Sequence, residues 1–243
     1  MKKLQYRIKS MKSATAAKEL SWMMIITIIT QFISVYKSAI IAANFGACVE
    51  LDAYNFANNL STFFLTFVST GITTVVLPAY VKKLDKKAVD TFLTVVFGVT
   101  GLLLVITYLL RGNLVDWLTS RDSTFRTYVC STMLLTIWIQ ALPAILGVTA
   151  AFYQCIGRFN LPKIILLISN VGTTALLIFL KEFDLYQYLY ILLGGAVFQF
   201  VVDLICAIHL GFRFKLEFQF KNSTYKSMMH IFLPTLFSTG IYK

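Results

Sequence analysis

Apolar runs of about twenty residues recur along this chain with few or no charges, and each is long enough as a helix to cross roughly 30 Å of hydrocarbon. Backbone amides in lipid must be satisfied within the segment or around a closed barrel. The roughly ten-residue alternating segments of a barrel are absent from the sequence. Composition agrees, since 58% of the 243 residues are hydrophobic and 14% charged, a balance too apolar for a soluble domain. The chain therefore reads as an all-α, polytopic membrane protein. The expected spans are 20–43, 54–80, 89–110, 128–152, 164–180 and 188–212, with 227–243 the start of a truncated seventh. No small-residue cleavage site follows the first run, so it reads as a retained span and not a removed signal.

The net charge of +11 invites a nucleic-acid reading. Its placement argues otherwise. The basic segment 1–19 carries Lys2, Lys3, Arg7, Lys9 and Lys12, and cations return at Lys82, Lys83, Lys86 and Lys87, at Arg158 and Lys163, and in the loop 213–226. The intervening loops hold the acids: Glu50 and Asp52, then Asp116 and Asp122 among Arg111, Arg121 and Arg126, then Glu182 and Asp184 beside Lys181. Alternation of this kind is the positive-inside pattern, which puts the N-terminus and the loop 213–226 in the cytoplasm. No basic cluster is interleaved with exposed aromatics for base stacking, so no nucleic-acid partner is expected.

The first span, LSWMMIITIITQFISVYKSAIIAANF, carries one cation, Lys37, about two-thirds of the way across. A lone charge at depth costs about 2.5–3.5 kcal/mol on insertion scales, so it faces protein or a wet cavity and often marks a substrate path. In the second span, Asn55, Asn59, Thr62, Thr66, Ser69 and Thr73 fall within an arc of about 80° at 100° per residue. That polar face is either a helix–helix seam, for which such residues are ordinary glue, or the wall of a hydrated cavity; the neighbouring Lys37 favours the cavity. The fourth span holds Gln140 and Pro143, read as structural. In the sixth, Gln199 and Asp203 share a face, and Asp203 stands near the depth of Lys37, close enough to be its charge partner. The alternative is an Asp203 that is protonated or hydrogen-bonded to a neighbouring helix.

Catalytic constellations are missing from the sequence. His209 and His230 are far apart, the four cysteines show no CxxC spacing, and no Walker loop, dinucleotide fingerprint or HExxH occurs. No enzyme activity, cofactor or metal is expected.

Three stretches then carry a resemblance: AIIAANFGACVELDAY at 39–54, TGITTVVLPAY at 70–80 and GRFNLP at 157–162. They are similar to the MurJ/MviN family of lipid II flippases, within the multidrug/oligosaccharidyl-lipid/polysaccharide (MOP) exporter superfamily. Gly46, Asp52, Pro78, Arg158 and Pro162 stand at positions of the family pattern. The similarity covers essentially the whole chain but only the first half of such a protein, so the expected fold is the six-helix N-terminal lobe of a MOP-type flippase plus the start of a seventh helix.

The resemblance implies translocation of an undecaprenyl-linked cell-wall precursor, lipid II-like, across the bacterial cytoplasmic membrane for peptidoglycan synthesis. The partners it implies are the bilayer, the glycan precursor and a second lobe across a central cavity. Its site residues would be Lys37 and the polar face of the second span, lining the cavity. Lys37 falls where the family commonly has an arginine, Ser38 where an acid often follows, and Leu65 near the place of a cavity arginine. A capsule or O-antigen lipid-linked oligosaccharide therefore stays open as substrate, as do a drug or ion antiporter and a non-transporting pseudo-lobe. A single lobe would expose Lys37 and the polar stripe to lipid, so the chain alone is not expected to flip lipid.

Overall fold

The computed structural model describes residues 13–82 and 84–241; within these, the side chains of 13–17, 64, 66–71, 73 and 235–241 fall outside the description. The basic residues of 1–12 and Lys83 thus lie outside the described residues. Helix α1, Ser13–Phe45, runs unbroken because its sequence holds neither proline nor glycine. It stops at Gly46, whose φ of +59° is a conformation that costs a residue without a Cβ little. The Gly46 amide closes the last turn on the Ala42 carbonyl at 2.9 Å.

Helix α2, Val49–Gly71, starts with Glu50 and Asp52 in its first turn, where carboxylates complement the helix dipole. It passes through a π-helical turn, Ile72–Val76, into the short α3, Leu77–Val81. Pro78 has no amide to give and its ring crowds the carbonyl four residues back. The widened turn just before it absorbs that conflict.

The long α4, Lys86–Leu118, is capped by the Asp85 carboxylate, which accepts from the Lys87 amide at 3.2 Å. Helices α5, Ser123–Ile145, and α6, Gly147–Cys155, are one rod broken at Leu146, three residues after Pro143. The turn after α6 is a Schellman motif: Arg158 N bonds Tyr153 O at 2.8 Å and Gly157 N bonds Gln154 O at 3.1 Å, with Gly157 at φ +74°. Pro162 then sits in the first turn of α7, Asn160–Leu180, where an amide would have no intrahelical acceptor. Helix α8, Leu185–His209, begins with a capping box between Asp184 and Gln187. Helix α9, Ser223–Ile241, is last.

Among the described residues, five helical stretches are long and apolar enough to cross a membrane: Lys18–Phe45, Lys86–Leu118, Ser123–Cys155, Asn160–Leu180 and Leu185–His209. No strand occurs among the described residues. The chain is an all-helical membrane protein of several spans. The expected second span falls on the broken rod α2–α3, which is not one of these five.

Packing follows a simple order. Helix α2 lies along α5, α1 along α7, and α8 sits between α5 and α7; α4 covers α5, and α9 bridges α4 and α2. Three apolar clusters result. The α2–α5 seam buries Ala53, Ala57, Val129 and Met133. Tyr54, Leu177, Tyr188 and Leu189 gather near the turns at 46–48 and 181–184. Ile72, Val76, Phe92, Leu93 and Val148 gather at the opposite end.

Between α8 and α9, residues 212–222 form an extended strap. Its Glu217 and Gln219 amides donate to the hydroxyls of Thr94 and Thr91 on α4, at 3.4 and 3.2 Å. Asn222 donates to Asp85 at 2.8 Å, which ties the strap to the α3–α4 turn. The charges sort by end. The strap end gathers Lys82, Lys86, Lys87, Arg158, Arg213 and Lys215 around the fewer acids Asp85, Asp90 and Glu217, whereas at the other end Arg121 pairs with Asp52 at 3.5 Å and Arg126 with Asp116 at 3.1 Å.

Candidate functional site

Lys37 sits on α1 about two and a half turns before Gly46, half-buried, and its Nζ donates to Oδ1 of Asn170 on α7 at 3.1 Å. An ammonium held among apolar side chains needs an acceptor, and Asn170 supplies one. The contact belongs to a polar seam joining α1 and α7. Asn160 donates to Glu19 near one end, and Asn44, seven residues after Lys37 on the same face, donates to the Phe183 carbonyl at 2.7 Å near the other. The rest of α1 shows large apolar side chains outward, Phe32 at 72% exposure among them.

The polar residues of α2 divide between two sides of that helix. Asn58 accepts from Gln140 at 2.7 Å, and Ser61 shares a 3.3 Å hydrogen bond with Thr136, so this side is a seam against α5. Asn55, Asn59 and Thr62 are exposed, and the Thr62 hydroxyl donates to the Asn58 carbonyl at 2.8 Å. The side chains of Thr66, Ser69 and Thr73 lie outside the described residues. Thr73 also belongs to the π-turn, so a uniform 100° period does not carry the stripe that far. Because α1 follows α7 and α2 follows α5, the two helices part from their turn at 46–48. Lys37 is thus not hydrogen-bonded to α2.

Lys37 and Asp203 do not pair. Phe45 at the end of α1 packs edge-on to Phe183 beside the start of α8, with ring centroids 5.6 Å apart, so both helices can be measured from a common end. Lys37 lies about 12 Å from it and Asp203 about 27 Å, at 1.5 Å per residue. Asp203 is 2% exposed and accepts from the Thr149 hydroxyl, while Tyr153 donates to its carbonyl at 2.7 Å. The carboxylate fastens α8 to α6.

The family-pattern residues have local structural roles. Gly46 ends α1, Pro78 accompanies the π-turn and Pro162 opens α7, as described. Arg158 contributes its amide to the Schellman turn and leaves its side chain exposed. Asp52 pairs with Arg121, and with both side chains about 60% exposed that pair is worth less than about 1 kcal/mol.

Residues 41–243 match the family described as lipid II flippase MurJ. The chain belongs to the MurJ family. The match takes in the α2 polar residues and all five pattern positions of this MurJ-family chain, and it begins four residues after Lys37. No curated protein and no solved structure matches it. Asn170, which the sequence reading passed over, is the residue that meets the half-buried cation. Its signal was an amide in the middle of α7, a group that must find a partner in lipid.

Proposed function

We propose that this MurJ-family chain moves a lipid II-like, undecaprenyl-linked cell-wall precursor across the bacterial cytoplasmic membrane, with its N-terminus in the cytoplasm. The family match over residues 41–243 carries this reading. The geometry supports it. A diphosphate-linked glycan brings a large anionic headgroup into a medium that resists charge, so its path needs a cation and polar side chains within the apolar layer. Lys37 is such a cation, and Asn170 holds the ammonium until a diphosphate displaces the neutral amide with a charge-assisted bond. Asn55, Asn59 and Thr62 offer hydrogen bonds to sugar hydroxyls.

Movement would follow from one bundle rocking against another around this site. The partner is a second lobe that covers the exposed polar side of α2, since unsatisfied polar groups facing lipid are costly. The gathering of cations at the strap end supports the orientation with that end in the cytoplasm.

The test is reconstitution of the protein together with its second lobe in liposomes with fluorescent lipid II and a leaflet-specific quencher, with a capsular undecaprenyl-linked oligosaccharide in parallel. Faster protection of lipid II than of the oligosaccharide supports the reading. Movement of the oligosaccharide alone replaces the substrate, and movement of neither rejects flipping by this chain.

A further inference from the structure

Helices α4 and α5 run antiparallel and leave a trough along their seam. Towards the strap end it is apolar, a cavity of about 640 Å³ walled by Gly101, Leu104, Val105, Ile137, Trp138 and Ile145. Towards the other end of the same seam lies a second, polar pocket of about 400 Å³ lined by Arg111, Asp116, Arg126, Thr127 and Ser131. Tyr108 joins the two. Its ring lines the apolar trough and carries the Arg111 guanidinium 5.2 Å from its centroid.

The pocket has an unbalanced charge. Arg126 is committed to Asp116 at 3.1 Å. Arg111 donates to the Tyr108 carbonyl at 2.9 Å and has no carboxylate partner among the described ion pairs. Two guanidinium groups and one carboxylate leave one net positive charge. Helical side chains lean towards their own N-terminus, and Arg111 does so, turning back towards the apolar trough. Trp117, 82% exposed, stands six residues further along α4 and suits the headgroup level, where tryptophan concentrates. Arg111 is rooted about 9 Å deeper, where a cation calls for an anion.

We propose that the α4–α5 seam is a lateral binding site for one anionic glycerophospholipid. Arg111 holds its phosphate beside Thr127 and Ser131, whose hydroxyls turn to it from the Ser123 and Tyr128 carbonyls to which they otherwise donate, and an acyl chain lies in the trough as far as Ile145. From Arg111 to Phe97, which lines the far end, the helix rises about 21 Å, enough to take a chain through a leaflet that is half of roughly 30 Å. A soluble anion would use only the charged end. The continuity of charge with an apolar trough suits a lipid, and the occupant is independent of the transported substrate.

Trp138 provides the readout, as a trough residue and one of three tryptophans. Trp22→Phe and Trp117→Phe in the full chain leave it as the sole emitter. In vesicles, phosphatidylglycerol brominated in its acyl chains should quench Trp138 about fivefold more effectively than phosphatidylcholine brominated alike, the preference expected of one arginine near a membrane surface. Arg111→Gln should bring the ratio close to one. Gly101→Leu, at a position where an added Cβ meets nothing within 4 Å, should fill the trough and weaken quenching by both lipids, with circular dichroism checking that each variant is folded. Equal quenching by the two lipids in the protein with Arg111 intact, or a preference that survives Arg111→Gln, overturns the site. Trp138 silent to both lipids would mean that protein covers the seam, which overturns it too.

Discussion

The ammonium of Lys37 rests on the side-chain oxygen of Asn170, 3.1 Å away, so the half-buried cation of α1 is held by a neutral amide of α7. A neutral partner leaves the positive charge uncancelled and available to an anion. Lys37→Ala should therefore abolish transport in the liposome assay, while Lys37→Arg retains it. Asn170→Ala should leave transport measurable and lower thermal stability by about 1 kcal/mol, the usual worth of an interhelical hydrogen bond in a bilayer. Unchanged transport in Lys37→Ala would reduce Lys37 to a structural cation.

Asp203 depends on Thr149, not on Lys37. Thr149→Val should destabilise the protein by about 1–3 kcal/mol, because it strips a buried carboxylate of its donor. In a double-mutant cycle, Asp203→Asn and Lys37→Met should be additive within about 0.5 kcal/mol. A larger coupling in thermal unfolding would restore the ion pair.

At Gly195, α8 comes close against α7. A Cβ there would collide with the Thr173 methyl and stand 3.2 Å from the Ser169 hydroxyl, which itself donates to the Gly195 carbonyl at 2.8 Å. Gly195→Ala should cost about 1–3 kcal/mol as overpacking. Thr173→Ser, which removes that methyl, should recover most of the loss when combined with it, as read by the shift in unfolding temperature.

The strap is held by two threonine hydroxyls. Replacing Thr91 and Thr94 together by valine keeps their shape and removes both acceptors. Trypsin should then cleave after Lys215 and Lys221 several times faster in the purified protein, a rate set by local opening. An unaltered cleavage rate would show that the apolar contacts and the Asn222–Asp85 hydrogen bond hold the strap without the threonines.

Orientation is testable in intact cells. In a variant with its own cysteines replaced, a cysteine at Ser120 should react with an impermeant maleimide from outside, and one at Ser223 only after permeabilisation. The reverse pattern would invert the protein.

The membrane class and the family were legible in the sequence because each rests on local information: apolar run length for one, and the FGA-x4-DAY block with its companion stretches for the other. The half-buried cation was legible for the same reason. Its partner was not, since Asn170 lies 133 residues away and no periodicity says that α1 packs on α7. The depth of Asp203 was misjudged because each residue was counted from the nearer, C-terminal end of its own helix, and those two ends lie at opposite ends of the bundle. The polar stripe of α2 was drawn with one period throughout, and the π-turn that ends that period has no signature beyond Pro78. Asn58 was left out of the stripe although it joins the seam with α5, a role that shows only once Gln140 stands opposite.

That π-turn also changes what the rod α2–α3 is mechanically. It carries surplus backbone between two helical pieces, so the wheel of α2 and the wheel of α3 are out of phase and each is set by its own neighbours. Ala53 and Ala57 answer to α5, whereas Ile72, Val76 and Ala79 answer to α4, α6 and α9. A small twist of the bundle at one end need not turn the other, so the rod couples its two ends as a joint and not as a stiff bar.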